Sequence, residues 1–138
     1  MNTLPPDSEL ESELQELYIL VRHWQQDIGF MEEELQFFKN VLGKYQPENQ
    51  SDNIALKTTI FGGEISKQEK HLTALKTKIP DFLHFLEPFI GDIKKDMDMS
   101  FLAKYNQLQT ELQQLFTDVK ATKVELFSYT EGLMIDNK

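Results

Sequence analysis

The feature that most constrains this 138-residue chain is an apolar stripe that runs without interruption through its first third. An apolar residue occurs at every step of an alternating spacing of four and three residues. The stripe consists of Leu10, Leu14, Leu17, Val21, Trp24, Ile28, Met31, Leu35, Phe38, Leu42 and Tyr45. This heptad-like spacing predicts a long helix that packs one face against other helices. The stripe therefore predicts an architecture, but it does not predict a chemistry.

Two further stripes with the same spacing follow along the chain. The middle one contains Phe61, Ile65, Gln68, Leu72, Leu75, Ile79, Phe82, Leu86, Phe89 and Ile93. The last contains Phe101, Tyr105, Leu108, Leu112, Leu115, Val119, Thr122, Leu126, Tyr129 and Leu133. Gln68 and Thr122 are the polar members, and a buried polar residue in such a stripe can fix register or oligomeric state. For Gln68 the alternative is that its amide reaches solvent.

The stripes and the turn signals together predict three helices, over residues 7–44, 51–97 and 100–134. The first begins after Pro5-Pro6, where Ser8 to Glu11 has the form of a capping box, and it ends near Gly43, before Pro47. The middle stripe keeps its phase across Pro80 and Pro88, so we expect one helix kinked at these prolines. The alternative is a four-helix bundle that is split near Pro80.

The short connections between three helices of similar length predict an all-α, antiparallel up-down bundle in a single domain, residues 1–138. The apolar faces are wider than a two-stranded coiled coil needs, which is typical of helices with two neighbours. The flanking apolar residues are Leu20, Phe30, Phe37 and Val41 in the first helix, Leu83, Phe85, Ile90 and Met97 in the second, and Leu102, Phe116 and Phe127 in the third.

Charge argues against polyanionic partners. The formal net charge is -9, and Arg22 is the single arginine. Because phosphate binding requires clustered Lys and Arg, neither nucleic acid nor an anionic membrane surface is an expected partner. The acidic excess is largest in residues 1–46, which contain nine acidic and three basic side chains, whereas residues 47–97 contain eight and seven.

The remaining composition favours a cytoplasmic protein. The chain has no cysteine, which excludes disulfides, thiolate metal sites and a cysteine nucleophile. No apolar run approaches the roughly 18 residues of a membrane span. Residues 1–9 contain neither a basic nor an apolar segment, so we expect no signal peptide.

Part of the first helix resembles a known family. The run from Arg22 to Phe30, in which His23 and Trp24 are followed by Asp27, precedes a Glu-Glu pair and the paired aromatics Phe37-Phe38. This pattern is similar to the opening helix of a group of small, uncharacterised all-helical proteins from Bacteroidetes. The resemblance implies a three-helix layout. It brings no known activity and no functional residues.

A metal- or small-ligand-binding bundle is the alternative function that the sequence leaves open. Carboxylate-bridged metal sites in bundles use inward Glu side chains and a Glu-x-x-His pair, which this chain lacks. The candidate ligands are His23 with Asp27, and Asp81 with His84. In the predicted register His84 points outward and no carboxylate cluster faces the core, so we expect no metal and no cofactor. No nucleophile motif or phosphate-binding loop is present either.

The aromatic flank of the first helix is the better candidate for a functional surface. His23, Phe30 and Phe37 recur every seven residues beside the main stripe, and Val41 lies on the same flank. One interpretation is that they fill the bundle against the third helix, near Phe127 and Met134. The other is that they form a surface for a protein partner or a homodimer. We therefore predict a non-enzymatic interaction or structural protein, with these four residues as its partner surface.

Overall fold

The computed structural model describes residues 6–44, 52–91 and 100–136, and side-chain burial within 12–44, 53–90 and 100–133. These residues form three helices: α1 (Pro6–Lys44), α2 (Asp52–Gly91) and α3 (Ser100–Asp136). The prediction of an all-α bundle of three long helices is confirmed. The connection between the first two predicted helices, residues 92–97 of the predicted second helix, and the side chains of Leu10, Tyr45 and Met134 lie outside the described residues.

Contacts between the helices give the predicted up-down-up order. Between α1 and α2, Lys39 lies beside Glu69 and Glu32 lies beside Lys76. Residue numbers therefore rise along α1 as they fall along α2, so these two helices are antiparallel. Between α2 and α3, Phe61 lies beside Tyr129 and Phe82 beside Tyr105, which again shows antiparallel neighbours. Between α1 and α3, Trp24 stacks on Tyr105 and Phe37 contacts Phe127, so these two helices run parallel.

The stripe of α1 forms the central wall of the core. All its described members are buried except the half-buried Leu17. Trp24, the single tryptophan, is buried and stacks on Tyr105 with ring centroids 5.3 Å apart. Burying a large apolar side chain contributes about 1.5–3 kcal/mol, so this wall supplies much of the free energy that holds the bundle together.

The middle helix continues through both of its prolines, so the alternative four-helix bundle split near Pro80 is wrong. Pro80 and Pro88 are half-buried rather than fully outward, and Pro80 lies beside Gly29 of α1 at a small gap between the helices. A proline at such a flanking position removes one helical hydrogen bond but leaves the apolar stripe in phase. The helix also includes Gly62 and Gly63.

One polar contact interrupts the apolar core between α2 and α3. Gln68 is only 3% exposed, so its amide does not reach solvent. The Gln68 Nε2 donates to Thr122 Oγ1 at 2.7 Å and to the Asp118 carbonyl at 3.3 Å. The Gln68 Oε1 and the Tyr129 hydroxyl are buried without a hydrogen-bond partner within the described residues. Burial raises the pKa of the Tyr129 phenol above its usual value. The two polar stripe residues therefore pair with each other and tie the register of α2 to that of α3.

Candidate partner surface between α1 and α3

Exposed apolar side chains are concentrated on the side of the bundle where α1 and α3 face solvent together. An ion pair between Glu34 Oε2 and Lys123 Nζ, 3.1 Å long, marks this side. In a helix, residues seven apart share a face, and residues three or four apart are neighbours. These spacings assign six of the nine large exposed apolar residues of the described chain to this side: Leu20, Phe30 and Phe37 on α1, and Leu102, Phe116 and Val124 on α3.

A groove runs along this side between the two helices. We define the α1–α3 groove by the residues that line its two open cavities: Met31, Glu34, Phe37, Asn40, Val41 and Lys44 of α1, and Phe116, Thr117, Val119, Lys120, Lys123, Val124, Phe127 and Thr130 of α3. The cavities measure about 590 and 510 Å³ and share Phe127 as a common wall. Volumes of this size are in the range of sites that take apolar side chains or small molecules.

The groove exists because α1 and α3 make the least extensive contact of the three helix pairs, whereas α2 packs closely against both. Phe127 fills the space between them and meets Phe37 and Phe38 edge to face, each at a centroid distance of 6.2 Å. Phe38 is fully buried by this contact, but Phe37 remains 53% exposed. One aromatic side chain thus bridges the two helices without closing the groove.

The structure brings together part of the predicted partner surface. Phe37 and the half-buried Val41 line the groove directly. Phe30 is 64% exposed at the α1 edge of this face, one turn from Glu34. His23 lies two further turns toward the start of α1, where it is exposed beside Ile19 in a separate shallow depression. His23 is therefore not part of the groove.

The contribution of α3 to this surface was not predicted from the sequence. Phe127 was expected beside the aromatic flank of α1, and Phe37 does contact it. Phe116 was named only as a flanking residue, and Val124, which is exposed at the α3 edge, was not named. A signal was available, since Leu102 and Phe116 are spaced by two heptads on one face. The sequence alone does not reveal that this face of α3 lies alongside Phe37, because that depends on how closely the helices approach.

The two edges of the groove carry opposite charges. On α1, Glu33 is exposed next to the paired Glu34; on α3, Lys120 is exposed one turn before Lys123. Within the described residues neither Glu33 nor Lys120 has an ion-pair partner. Around the Glu34–Lys123 pair the groove thus has an acidic edge on α1 and a basic edge on α3, and Lys44 adds a positive charge near the end of α1.

The residues of the metal-binding alternative do not converge. His23 and Asp27 are on α1, whereas Asp81 and His84 are on α2 with both side chains exposed. The His84 Nδ1 lies 3.5 Å from Glu87 Oε2, an ion pair when the imidazole is protonated. Among the described side chains no three His, Asp or Glu groups are arranged to hold a metal ion.

Asp81 instead lines a cavity of about 270 Å³ between α2 and α3. Phe82 and Phe85 form its aromatic side, and the Lys104 ammonium lies 5.3 Å from the centre of the Phe85 ring. The Lys78 Nζ pairs with Glu111 Oε1 at 3.0 Å, while the buried Glu111 Oε2 has no hydrogen-bond partner within the described residues. In this cavity charged and aromatic groups meet, so it is a better candidate for a ligand site than the separated histidines.

None of the helices, over the residues described, combines the length and apolarity needed to cross a membrane. No protein-family model, curated protein or solved structure matches this chain. The resemblance of the segment from Arg22 to Phe38 to a Bacteroidetes family therefore stays a prediction.

Proposed function

We propose that this chain is a non-enzymatic interaction protein of the cytoplasm, which binds a protein partner through the α1–α3 groove. The observation that carries the proposal is a groove lined by exposed apolar side chains, Phe37 on α1 and Phe116 and Val124 on α3. Phe30 is exposed on the same side of α1. Single exposed apolar residues are ordinary on protein surfaces, but contiguous exposed apolar patches are uncommon and mark interaction sites. Aromatic side chains are also the residues that contribute most to binding at interfaces.

The shape of the groove fits a helical partner surface. On α1 the groove is lined from Met31 to Lys44, a stretch that at about 1.5 Å per residue is on the order of 20 Å long. Two parallel helices with a gap between them offer the kind of groove in which another apolar helix face can dock. The acidic surface of the remaining bundle supports a protein partner over nucleic acid or an anionic membrane.

The proposal is tested by placing a photoreactive phenylalanine analogue at position 37 in the full chain, in cells that express it. The matched control carries the same analogue at Thr77, an exposed position of α2 outside the groove. We expect a covalent protein adduct from position 37 and little or none from position 77. Equal adduct formation at both positions, or none at position 37, would contradict a partner site in the groove.

A small-ligand site is the second candidate function, and the cavity beside Asp81 favours it. Its lining combines an aromatic side with the ammonium groups of Lys78 and Lys104 and the carboxylates of Asp81 and Glu111. Such a site suits a small aromatic molecule with a charged substituent, because the ring would stack on Phe85 and the charge would meet a lysine or a carboxylate.

This second candidate is tested by NMR titration of the labelled protein with small aromatic carboxylates and amines. We expect saturable shifts confined to residues around Phe85, which Lys104→Ala weakens severalfold. The control is Lys57→Ala, which removes an exposed lysine at the opposite end of α2. Shifts that spread over the surface without saturation would exclude a defined site.

A further inference from the structure

We propose that the partner in the groove is a second copy of this chain, related by a two-fold axis parallel to the helices. This inference rests on the proposed function, because it names the occupant of the same surface. A two-fold axis lying in the interface along the helix direction places α1 of one copy against α3 of the other, and the helices remain parallel. An isologous interface of this kind requires a surface that is complementary to itself.

The heights of the side chains along the helix direction are compatible with a self-complementary surface. Within one chain Glu34 lies level with Lys123, and Phe37 with Phe127. Counting residues from these two contacts, which are the nearest to Glu33, Glu33 falls within about one helical turn of Lys120, because each residue advances about 1.5 Å. Counting from the more distant contact of Trp24 with Tyr105 places Glu33 within about two turns of Lys120. A two-fold axis parallel to the helices preserves these levels, so Glu33 of each copy would meet Lys120 of the other.

The apolar residues match by the same count. Phe37 falls within about one turn of Val124, and Phe30 within about one turn of Phe116. In the proposed dimer these four exposed side chains pair across the interface twice. Each copy then covers the apolar side chains of the other while its charged edges meet at the rim, which is the ordinary arrangement of an interface.

Charge selects this axis over the other two-fold arrangement. An axis perpendicular to the helices would place α1 against α1, and with this axis at the level of Glu33 and Glu34 these acidic residues of the two copies would face each other. The parallel axis instead sets the acidic edge of α1 against the basic edge of α3, which carries Lys120 and Lys123. Like-charge juxtaposition opposes association, whereas complementary edges favour it and fix the orientation.

The experiment is a charge swap distributed over two chains. Glu33→Lys and Lys120→Glu are made separately in the full chain, and dimerisation is measured by sedimentation equilibrium. Each variant alone places like charges at two symmetric positions, so we expect about tenfold weaker dimerisation than for the wild type. In an equimolar mixture of the two variants every pair is complementary, so heterodimers form with wild-type affinity. Circular dichroism controls the fold, which these exposed positions should leave unchanged.

A wild-type chain that stays monomeric at millimolar concentration would overturn the inference, and so would variants whose dimerisation the mixture does not restore. The photoreactive analogue at position 37 distinguishes a failure of the dimer inference from a failure of the proposed function. An adduct at the mass of the dimer, mapped to α3 of the second copy, supports the inference. An adduct with a different protein overturns the inference and leaves the proposed function standing, and no adduct at all contradicts both.

Discussion

The α1–α2 and α1–α3 interfaces are built from the same helix, yet only the first is closed. Toward α2, α1 buries its apolar stripe, and the ion pairs Glu32–Lys76 and Lys39–Glu69 cover the edges. Toward α3, one ion pair, Glu34–Lys123, crosses a groove in which apolar side chains remain exposed. The difference shows that α1 has more apolar surface than its own bundle covers.

Two neighbouring residues of α1 show how abruptly burial gives way to exposure on the side that faces α3. Phe38 is fully buried, while Phe37, the residue before it, is 53% exposed, although both contact Phe127. A step of one residue turns a helix by about 100°, so the two rings fall on either side of the line where the core ends. The exposed ring contributes little to the stability of the monomer and is available to another surface.

The largest expected effect comes from truncating these two rings separately. We expect Phe38→Ala to lower the free energy of unfolding by about 3–5 kcal/mol, because it leaves a cavity in a packed core. We expect Phe37→Ala to lower it by about 1 kcal/mol, because that ring loses one edge-to-face contact and part of its burial. Urea denaturation at protein concentrations below dimerisation measures both. Equal losses would show that the groove is closed in solution.

A second test concerns the polar contact that ties α2 to α3. Thr122→Val removes the 2.7 Å hydrogen bond from Gln68 Nε2, and we expect it to cost about 1–3 kcal/mol, because the buried amide loses a partner. Adding Gln68→Leu to this variant should recover most of that loss, since both polar groups are then absent. The two single variants and the double variant form a cycle measured by thermal unfolding. Strictly additive losses would contradict a direct coupling between these residues.

Much of this architecture could be predicted from the sequence, because it depends on periodicity. The stripe of α1 gave the buried face correctly at every described position except the half-buried Leu17. The phase of the middle stripe across Pro80 correctly predicted a single continuous helix. Both predictions succeed because a heptad pattern is a property of one helix, and it does not require knowledge of the neighbours.

The surface could be predicted only on its α1 side. His23, Phe30 and Phe37 were named from their heptad spacing, and Val41 because it lies on the same flank. Phe37 and Val41 line the groove and Phe30 lies at its edge, whereas His23 lies in a separate depression. The contribution of Phe116 and Val124 depends on how far α3 is from α1, which no spacing within one helix encodes. Interhelical distance is set by the side chains at the contact, and here Phe127 of α3 lies against both Phe37 and Phe38 of α1.

The α1–α2 interface contains a small gap beside a glycine of α1. Gly29 lies at a small gap beside Pro80, and a Cβ built there meets nothing within 4 Å. We expect Gly29→Ala to raise the free energy of unfolding by about 0.5–1 kcal/mol, because alanine is the better helix former. Gly63→Ala on exposed α2 is the matched control, and it should give the same gain. A loss at Gly29 alone, seen in denaturant midpoints, would mean that α1 and α2 pack more tightly there than the gap indicates.

The smallest expected effect distinguishes the two interfaces by their ion pairs. The Glu34–Lys123 pair crosses the open groove and the Glu32–Lys76 pair covers the closed interface, and all four side chains are a third to a half exposed. Exposed pairs are screened by water and salt, so we expect double-mutant cycles with glutamine to give a coupling of about 0.5 kcal/mol or less for both. A coupling above about 1.5 kcal/mol for Glu34–Lys123 alone would mean that this pair holds α1 and α3 together. In that case the ion pair would fix the position of α1 against α3, and the exposure of Phe37 would no longer support a partner site in the groove.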